Sequence, residues 1–293
     1  MQDLSAHGKQ RVRGVVALII ASVVWGSTFP IIKIVVKHMN SFRYVWIRNL
    51  LAVLAMVPYI AYRLWRGSVA KRSVIGGLLI GSAYTLALWL QGLGTFYTTA
   101  SNSAFITNLY FIYLHTYEAL KRKRYDHRLA VAVIIALAGL YIMTSPAGFG
   151  FGEAVVLVGS FIWALQILIV DRYSTANPLD TAFFMLLPPL TLSILDAMLF
   201  ELPTISSILP VLPHLLYLSL IASIVAYALQ LHGQKYVVAS TASTIYLVEP
   251  ASAPLFAMLI INESVSTAQI AGFTLIMLAL YLSITSRYSY KLL

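Results

Sequence analysis

Apolar residues in this chain come in continuous runs, rich in Leu, Ile, Ala and Met, separated by short clusters of charge, proline and glycine. Each run can cross a hydrocarbon layer of roughly 30 Å as a helix, which takes about 20 residues. A membrane barrel would instead show segments of about ten residues alternating in polarity. The runs predict ten helices, at about 14–37, 42–65, 74–97, 99–120, 128–146, 151–172, 179–200, 212–236, 238–261 and 267–287. The expected fold class is an all-α polytopic membrane protein.

Composition and charge sharpen this. With 60% hydrophobic and 10% charged residues, the chain has too few polar groups to clothe a water-soluble globule of 293 residues. Its net charge of +10 would suit nucleic acid. The basic residues, however, sit at the edges of the apolar runs and form no face, so they read as orientation signals and no nucleic-acid partner is expected. An even number of helices puts both termini on one side. With that side cytoplasmic, Lys9, Arg11, Arg13, Arg63, Arg66, Lys71, Arg72, Lys121, Arg122, Lys123, Arg124, Arg128, Arg172, Lys235, Arg287 and Lys291 lie inside. The outer loops keep Lys37 and Arg43, beside Glu153, Glu201 and Glu263. The expectation is a multi-pass protein of the cell's inner (plasma) membrane, lipid-embedded, with both termini cytoplasmic. The basic opening Met1–Arg13 is signal-like, but the apolar run behind it is far longer than a signal core, so cleavage is not expected.

The chain also repeats itself. Residues 90–101 read LQGLGTFYTTAS and residues 229–240 read LQLHGQKYVVAS, so that Gln91 and Gln230, Gly94 and Gly233, Tyr97 and Tyr236, and Ser101 and Ser240 each stand 139 residues apart. Gly14 and Trp25 match Gly152 and Trp163 at an offset of 138, and Leu140-Tyr141 match Leu280-Tyr281 at 140. Each copy then holds five helices, an odd number, so the second must enter the membrane upside down. Two inverted five-helix repeats are predicted, residues 1–148 and 149–293, joined near Gly148 in a glycine-rich loop after Pro146.

Several motifs resemble those of the drug/metabolite transporter superfamily, and within it the EamA-type ten-helix transporters. They are Trp25-Gly26-Ser27 with Lys33 following, Arg48 early in helix 2, Tyr-x-x-Ala-Ser at Tyr97–Ser101 and Tyr236–Ser240, and Leu247-Val248-Glu249-Pro250 closing on Asn262-Glu263. The first copy departs from the second, with Tyr110-Phe111 where Glu249-Pro250 stands and Arg124 where Glu263 stands. The resemblance implies a fold and a transport class, not a substrate.

Polar residues inside apolar helices mark faces that lipid cannot satisfy. Tyr84, Gln91 and Thr95 share one stripe, and Ser223, Tyr227, Gln230 and Gln234 another. They are either helix-to-helix glue or the wall of a binding site. Trp25 with Thr28 and Trp163 with Gln166 lie mid-helix, away from the interfacial belts where tryptophan anchors. With Trp89, Tyr110 and Tyr246 they outline an aromatic pocket suited to amphipathic organic molecules or cations, against the alternative of simple packing, and Asn108 is a further candidate for substrate binding. Glu249 sits near the middle of its helix, where a carboxyl must be protonated, paired or facing water. It is the candidate for proton coupling, with a structural hydrogen-bonding role as the other reading. Arg48, about 9 Å below the outer end of helix 2 at roughly 1.5 Å per residue, is expected to snorkel outward or to pair with Glu249. Lys33 snorkels or lines the outer mouth, and Glu118 is expected to pair with Lys121 and Arg122 at the interface.

The six histidines show no metal spacing, and neither a phosphate loop, a nucleophile triad nor a zinc motif appears, so neither a cofactor nor a metal is expected. The sequence reads as a non-enzymatic secondary transporter, taking a small-molecule substrate by alternating access. Export of amino acids or similar amphipathic metabolites is the expected direction and cargo. The rivals are an intramembrane enzyme using Glu249 and Arg48, and a channel.

Overall fold

The computed structural model describes residues 2–121, 123, 127–144 and 148–284. Arg122, Arg124, Asp126, Pro146, Arg287 and Lys291, and with them the expected Glu118–Arg122 pairing, lie outside the described residues. The described chain is helical, without a strand. Among the described residues seven helices are long and apolar enough to span a membrane, with shorter apolar helices at Ala130–Met143 and Thr267–Ala279.

The first half contains α1 (Gln2–His38), α2 (Ser41–Trp65), α3 (Lys71–Tyr97), α4 (Ala100–Thr107), α5 (Tyr110–Lys121) and α6 (His127–Met143). The second contains α7 (Phe151–Tyr173), α8 (Pro178–Leu199), α9 (Ile205–Gly233), α10 (Ala239–Ile245), α11 (Val248–Ile261) and α12 (Thr267–Ile284). Two of the expected helices are broken. The run expected at 99–120 stops at Thr107 and restarts at Tyr110, and the run at 238–261 stops at Ile245 and restarts at Val248. The second break lies before Pro250, not at it. Pro250 falls in the first turn of α11, where its missing N–H has no helical partner to lose. The carbonyl of Tyr246, left open at this break, accepts from Ser22 Oγ at 3.1 Å and from the Glu249 amide at 2.9 Å. Helix α8 tightens to a 3₁₀ turn at Pro188–Thr191, which opens on two prolines, and α9 widens to a π-helical turn over Tyr217–Val225.

Glycines set the closest crossings. A Cβ on Gly94 of α3 would lie 2.5 Å from Val156 and 2.7 Å from the Gly152 carbonyl of α7. A Cβ on Gly233 of α9 would lie 2.5 Å from Leu18 and 2.9 Å from the Gly14 carbonyl of α1. The glycines that match between the copies are thus the points where α3 meets α7 and α9 meets α1. Helices α6 and α12 cross likewise at Gly139 and Gly272.

Two ion clusters bind α2 to α8, and the sequence reading passed over both acids. Asp196, 2% exposed, takes Arg43 Nε at 3.0 Å, Asn40 Nδ2 at 2.8 Å and Trp46 Nε1 at 2.9 Å. Asp180, fully buried, takes Arg63 Nη2 at 2.9 Å and Tyr59 Oη at 2.8 Å. The start of α2 therefore meets the end of α8 and the reverse, so the two helices run antiparallel. Asp196→Ala would leave the Arg43 guanidinium, mostly buried, without its carboxylate. The expected loss lies toward the low end of about 3–5 kcal/mol, because Arg43 retains some contact with solvent. Thermal unfolding in detergent measures it, and an unchanged Tm would show the cluster to be inert.

Candidate functional site

A cavity lies between the halves, beside both helix breaks. Helix α1 contributes Trp25, Thr28 and Ile32, α2 contributes Arg48, and α3 contributes Leu88 and Gln91. Thr107 and Tyr110 come from the two sides of the first break, and Tyr246 and Glu249 from the second. Trp163, Gln166 and Ile167 of α7 and Tyr227 and Gln230 of α9 complete the wall. Twelve of these residues fall into six pairs at the repeat offset: Trp25 with Trp163, Thr28 with Gln166, Leu88 with Tyr227, Gln91 with Gln230, Thr107 with Tyr246, and Tyr110 with Glu249.

The aromatic side of the cavity is built from rings in contact. Trp25 packs on Tyr227 at 5.0 Å and edge-on to Tyr246 at 5.5 Å between centroids, and its Nε1 donates to the Ala222 carbonyl at 3.2 Å. Gln166 Nε2 donates to Gln230 Oε1 at 3.3 Å, joining α7 to α9. Other polar groups on the wall are uncommitted. Trp163 Nε1 and Thr107 Oγ1 are buried without a partner among the described residues, and the Gln91 amide makes no side-chain hydrogen bond among them. Buried donors and acceptors of this kind are costly to leave unpaired.

Three expected site residues lie elsewhere. Trp89 stacks on Phe42 at 5.1 Å and lines a groove with Phe96 and Phe200, away from the central cavity. Its position two residues before Gln91 turns it to another side of α3. Tyr84 stands behind the wall, edge-on to Tyr227 and Trp163, with its hydroxyl 3.3 Å from Ser223 Oγ. Asn108 is the turn residue of the first break, donating to the Ala104 carbonyl at 3.1 Å and neighbouring Glu249. Sequence reasoning missed Thr107, Leu88, Ile32 and Ile167. The offset of 139 could have found the first two, from Tyr246 and Tyr227.

Arg48 does neither of the things expected of it. It is 2% exposed, so it does not snorkel, and no ion pair joins it to Glu249. Its Nε donates to Ser223 Oγ at 2.9 Å and its Nη1 to Tyr44 Oη at 2.6 Å. Glu249, 5% exposed, accepts a long hydrogen bond of 3.5 Å from Tyr110 Oη. Lys33 turns inward and donates to the carbonyls of Thr95 and Phe96, at 2.7 and 2.9 Å, at the C-terminal end of α3. It lines a separate vestibule with Glu153 and Glu263. There the Glu263 carboxylate caps the first turn of α4, accepting from the amides of Ala100 and Ser101 at 2.8 and 3.0 Å.

The profile of the EamA-like transporter family matches this chain twice, over residues 12–145 and 150–285. The chain belongs to the EamA-like transporter family. Membership agrees with the drug/metabolite transporter resemblance of its motifs, and it points to a membrane transporter and not to an enzyme. An uncharacterized transporter of Archaeoglobus fulgidus is 30% identical over 284 residues, covering 95% of this chain and 88% of its own. Another, of Clostridium kluyveri, is 28% identical over 221 residues, 70% of each chain. A solved crystal structure superposes with a TM-score of 0.65 at 16% identity, covering 94% of this EamA-like chain and 98% of the other, which shows the fold alone.

Proposed function

We propose that this EamA-like protein is a secondary transporter that moves small organic solutes by alternating access, exporting amino acids or similar amphipathic metabolites. The observation that carries the reading is the pairing of the cavity wall, which six positions of one copy line together with their six counterparts from the other. A site made of matched positions lies on the axis relating the copies. Exchanging the roles of the two copies then turns the site from one side of the membrane to the other. Inversion of the second copy is supported by α2 and α8, which hold corresponding places in the two halves and run antiparallel. The packing pairs support it too, since α1 on α9 is answered by α7 on α3. Under this reading α4 with α5, and α10 with α11, each make one crossing, giving ten in all, divided into residues 1–148 and 149–293.

The substrate class follows from the wall. Trp25, Tyr227 and Tyr246 offer an aromatic surface, while Gln91, Gln230 and Thr107 offer hydrogen bonds to a polar end. Purified protein in liposomes is expected to catalyse saturable uptake of labelled amino acids that is accelerated by unlabelled solute on the opposite side. Linear flux without such counterflow would indicate a channel, and product formation without flux an enzyme.

Orientation has its own test. The chain has no cysteine, so single-cysteine variants can be labelled without background. Ser68→Cys is expected to react with an impermeant maleimide only from the cytoplasmic side, and Phe149→Cys and Ser206→Cys only from outside. All three positions are exposed. Labelling of Ser68→Cys from outside would reverse the assignment.

A further inference from the structure

We propose that Arg48 is the anchor for a carboxylate of the transported solute, so that the cavity selects organic acids, amino acids among them, over their neutral or cationic analogues. This rests on the transporter reading and adds the chemistry of the cargo. Arg48 lines the central cavity and is 98% shielded from solvent. A guanidinium carries five N–H donors and no acceptor. Two are engaged, both by neutral oxygens: Nε by Ser223 Oγ at 2.9 Å and Nη1 by Tyr44 Oη at 2.6 Å. Ser223 is itself held in the π-helical turn of α9, its hydroxyl donating to the Leu218 carbonyl at 2.9 Å, so its oxygen is free to accept from Arg48. The Tyr44 ring lies 5.8 Å from the guanidinium carbon. These contacts fix the fork in place without neutralising it.

Among the described residues the recorded ion pairs are Arg43 with Asp196 and Arg63 with Asp180. Arg48 is the one arginine in the cavity wall, and among the described residues no ion pair joins it to a carboxylate. An unmatched charge in a bilayer interior is expensive and is retained where it meets a counter-charge or a water-filled path. The planar fork with unspent donors suits two oxygens of a carboxylate. Glu249 lies on the same wall without touching Arg48, so an incoming anion does not have to displace a resident partner. The positions 138 and 139 residues after Arg48 are Leu186 and Leu187. The cation thus belongs to one copy, and the polar end of a solute would be oriented by it.

The test uses the full-length protein, with binding read by thermal shift and by tryptophan fluorescence, since Trp25 and Trp163 line the cavity. The probes are aromatic and branched amino acids, each set against its C-terminal amide and the corresponding decarboxylated amine, with 3-phenylpropionate and 2-phenylethyl phosphate as anions lacking the amine. The acids are expected to bind about tenfold or more tightly than their amides, the scale of a charge-assisted hydrogen bond. Arg48→Gln should erase that preference while leaving amide binding in place. Arg48→Lys, which keeps the charge and loses the fork, should retain part of it, and it serves if the glutamine variant does not fold. Equal weakening of acid and amide in Arg48→Gln would overturn the proposal in favour of a structural arginine. So would a wild-type panel in which no carboxylate is preferred, and preference for the phosphate over the carboxylate would overturn the choice of anion. Saturable counterflow of amines, independent of Arg48, would sink the anchor and leave the transporter standing. Absence of counterflow beside intact acid selectivity would do the reverse.

Discussion

Gly94→Leu is expected to leave little folded protein, and Gly233→Leu should do the same through the opposite half. At each position even a single methyl has no room: the nearest atoms to a Cβ on Gly94 are 2.5 and 2.7 Å away, one of them the Gly152 carbonyl oxygen. Backbone cannot swing aside as a side chain can, so α3 and α7 would have to part. Gly94→Ala separates two opposing effects. Alanine improves helix propensity by about 1 kcal/mol over glycine, whereas overpacking costs typically about 1–3 kcal/mol. Because a carbonyl is among the clashing atoms, the second effect should win and Tm should fall. Gly233→Ala meets mainly Leu18 Cγ and Cδ2, at 2.5 and 2.6 Å, and a side chain can yield in part, so its fall should be smaller. Gly159→Ala is the control, since its Cβ comes no closer than 3.2 Å to Leu90. Detergent-solubilised Tm and the monodisperse fraction on gel filtration measure all five. A Gly94→Leu protein with wild-type Tm would mean that the α3–α7 crossing is looser than described.

These glycines also show what the sequence made legible. Membrane helices expose their lengths through hydropathy alone, because a bilayer demands continuous apolar segments. Likewise Gln91, Tyr227 and Gln230 announced an inward face, because lipid offers no hydrogen bonds. Gly14, Gly94, Gly152 and Gly233 were visible as a repeat, but not as contacts, since only the structure brings them together in pairs. The break at Thr107–Tyr110 left no trace: unlike the second, it has no proline nearby, and its turn is formed by Asn108 and Leu109 within an apolar run. Arg48 was misjudged because depth along one helix does not reveal what the neighbouring helix offers. Ser223 reaches it from α9, 175 positions away. Asp180 and Asp196 look like ordinary helix-end charges until α8 is laid antiparallel to α2. Trp89 lies away from the central cavity for a simpler reason, in that its aromatic ring suits a pocket while its helical phase turns it to another side of α3.

Glu249→Gln is expected to abolish gradient-driven transport while sparing solute exchange. The carboxyl is 5% exposed, lines the cavity and stands in the first turn of α11, immediately after the break. A carboxyl at this depth moves between its neutral and charged forms only when the surroundings change, and alternating access changes them twice per cycle. If one proton binds and leaves with each turnover, an amide that imitates the protonated acid should still carry solute for solute but should no longer follow an imposed pH gradient. The same substitution would be ruinous if Glu249 neutralised a buried cation, because breaking such a pair typically costs about 3–5 kcal/mol. No such pair is present among the described residues, where the contacts of Glu249 are the Tyr110 hydroxyl at 3.5 Å and the neighbouring Asn108. A glutamine side chain can accept from Tyr110 as the acid does, so Tm should stay close to wild type. The measurements are counterflow at equal pH, uptake driven by a pH step across the same liposomes, and Tm. Loss of both fluxes with a lowered Tm would assign Glu249 to the structure of the break, and pH-driven uptake retained in a stable Glu249→Gln protein would remove it from coupling altogether.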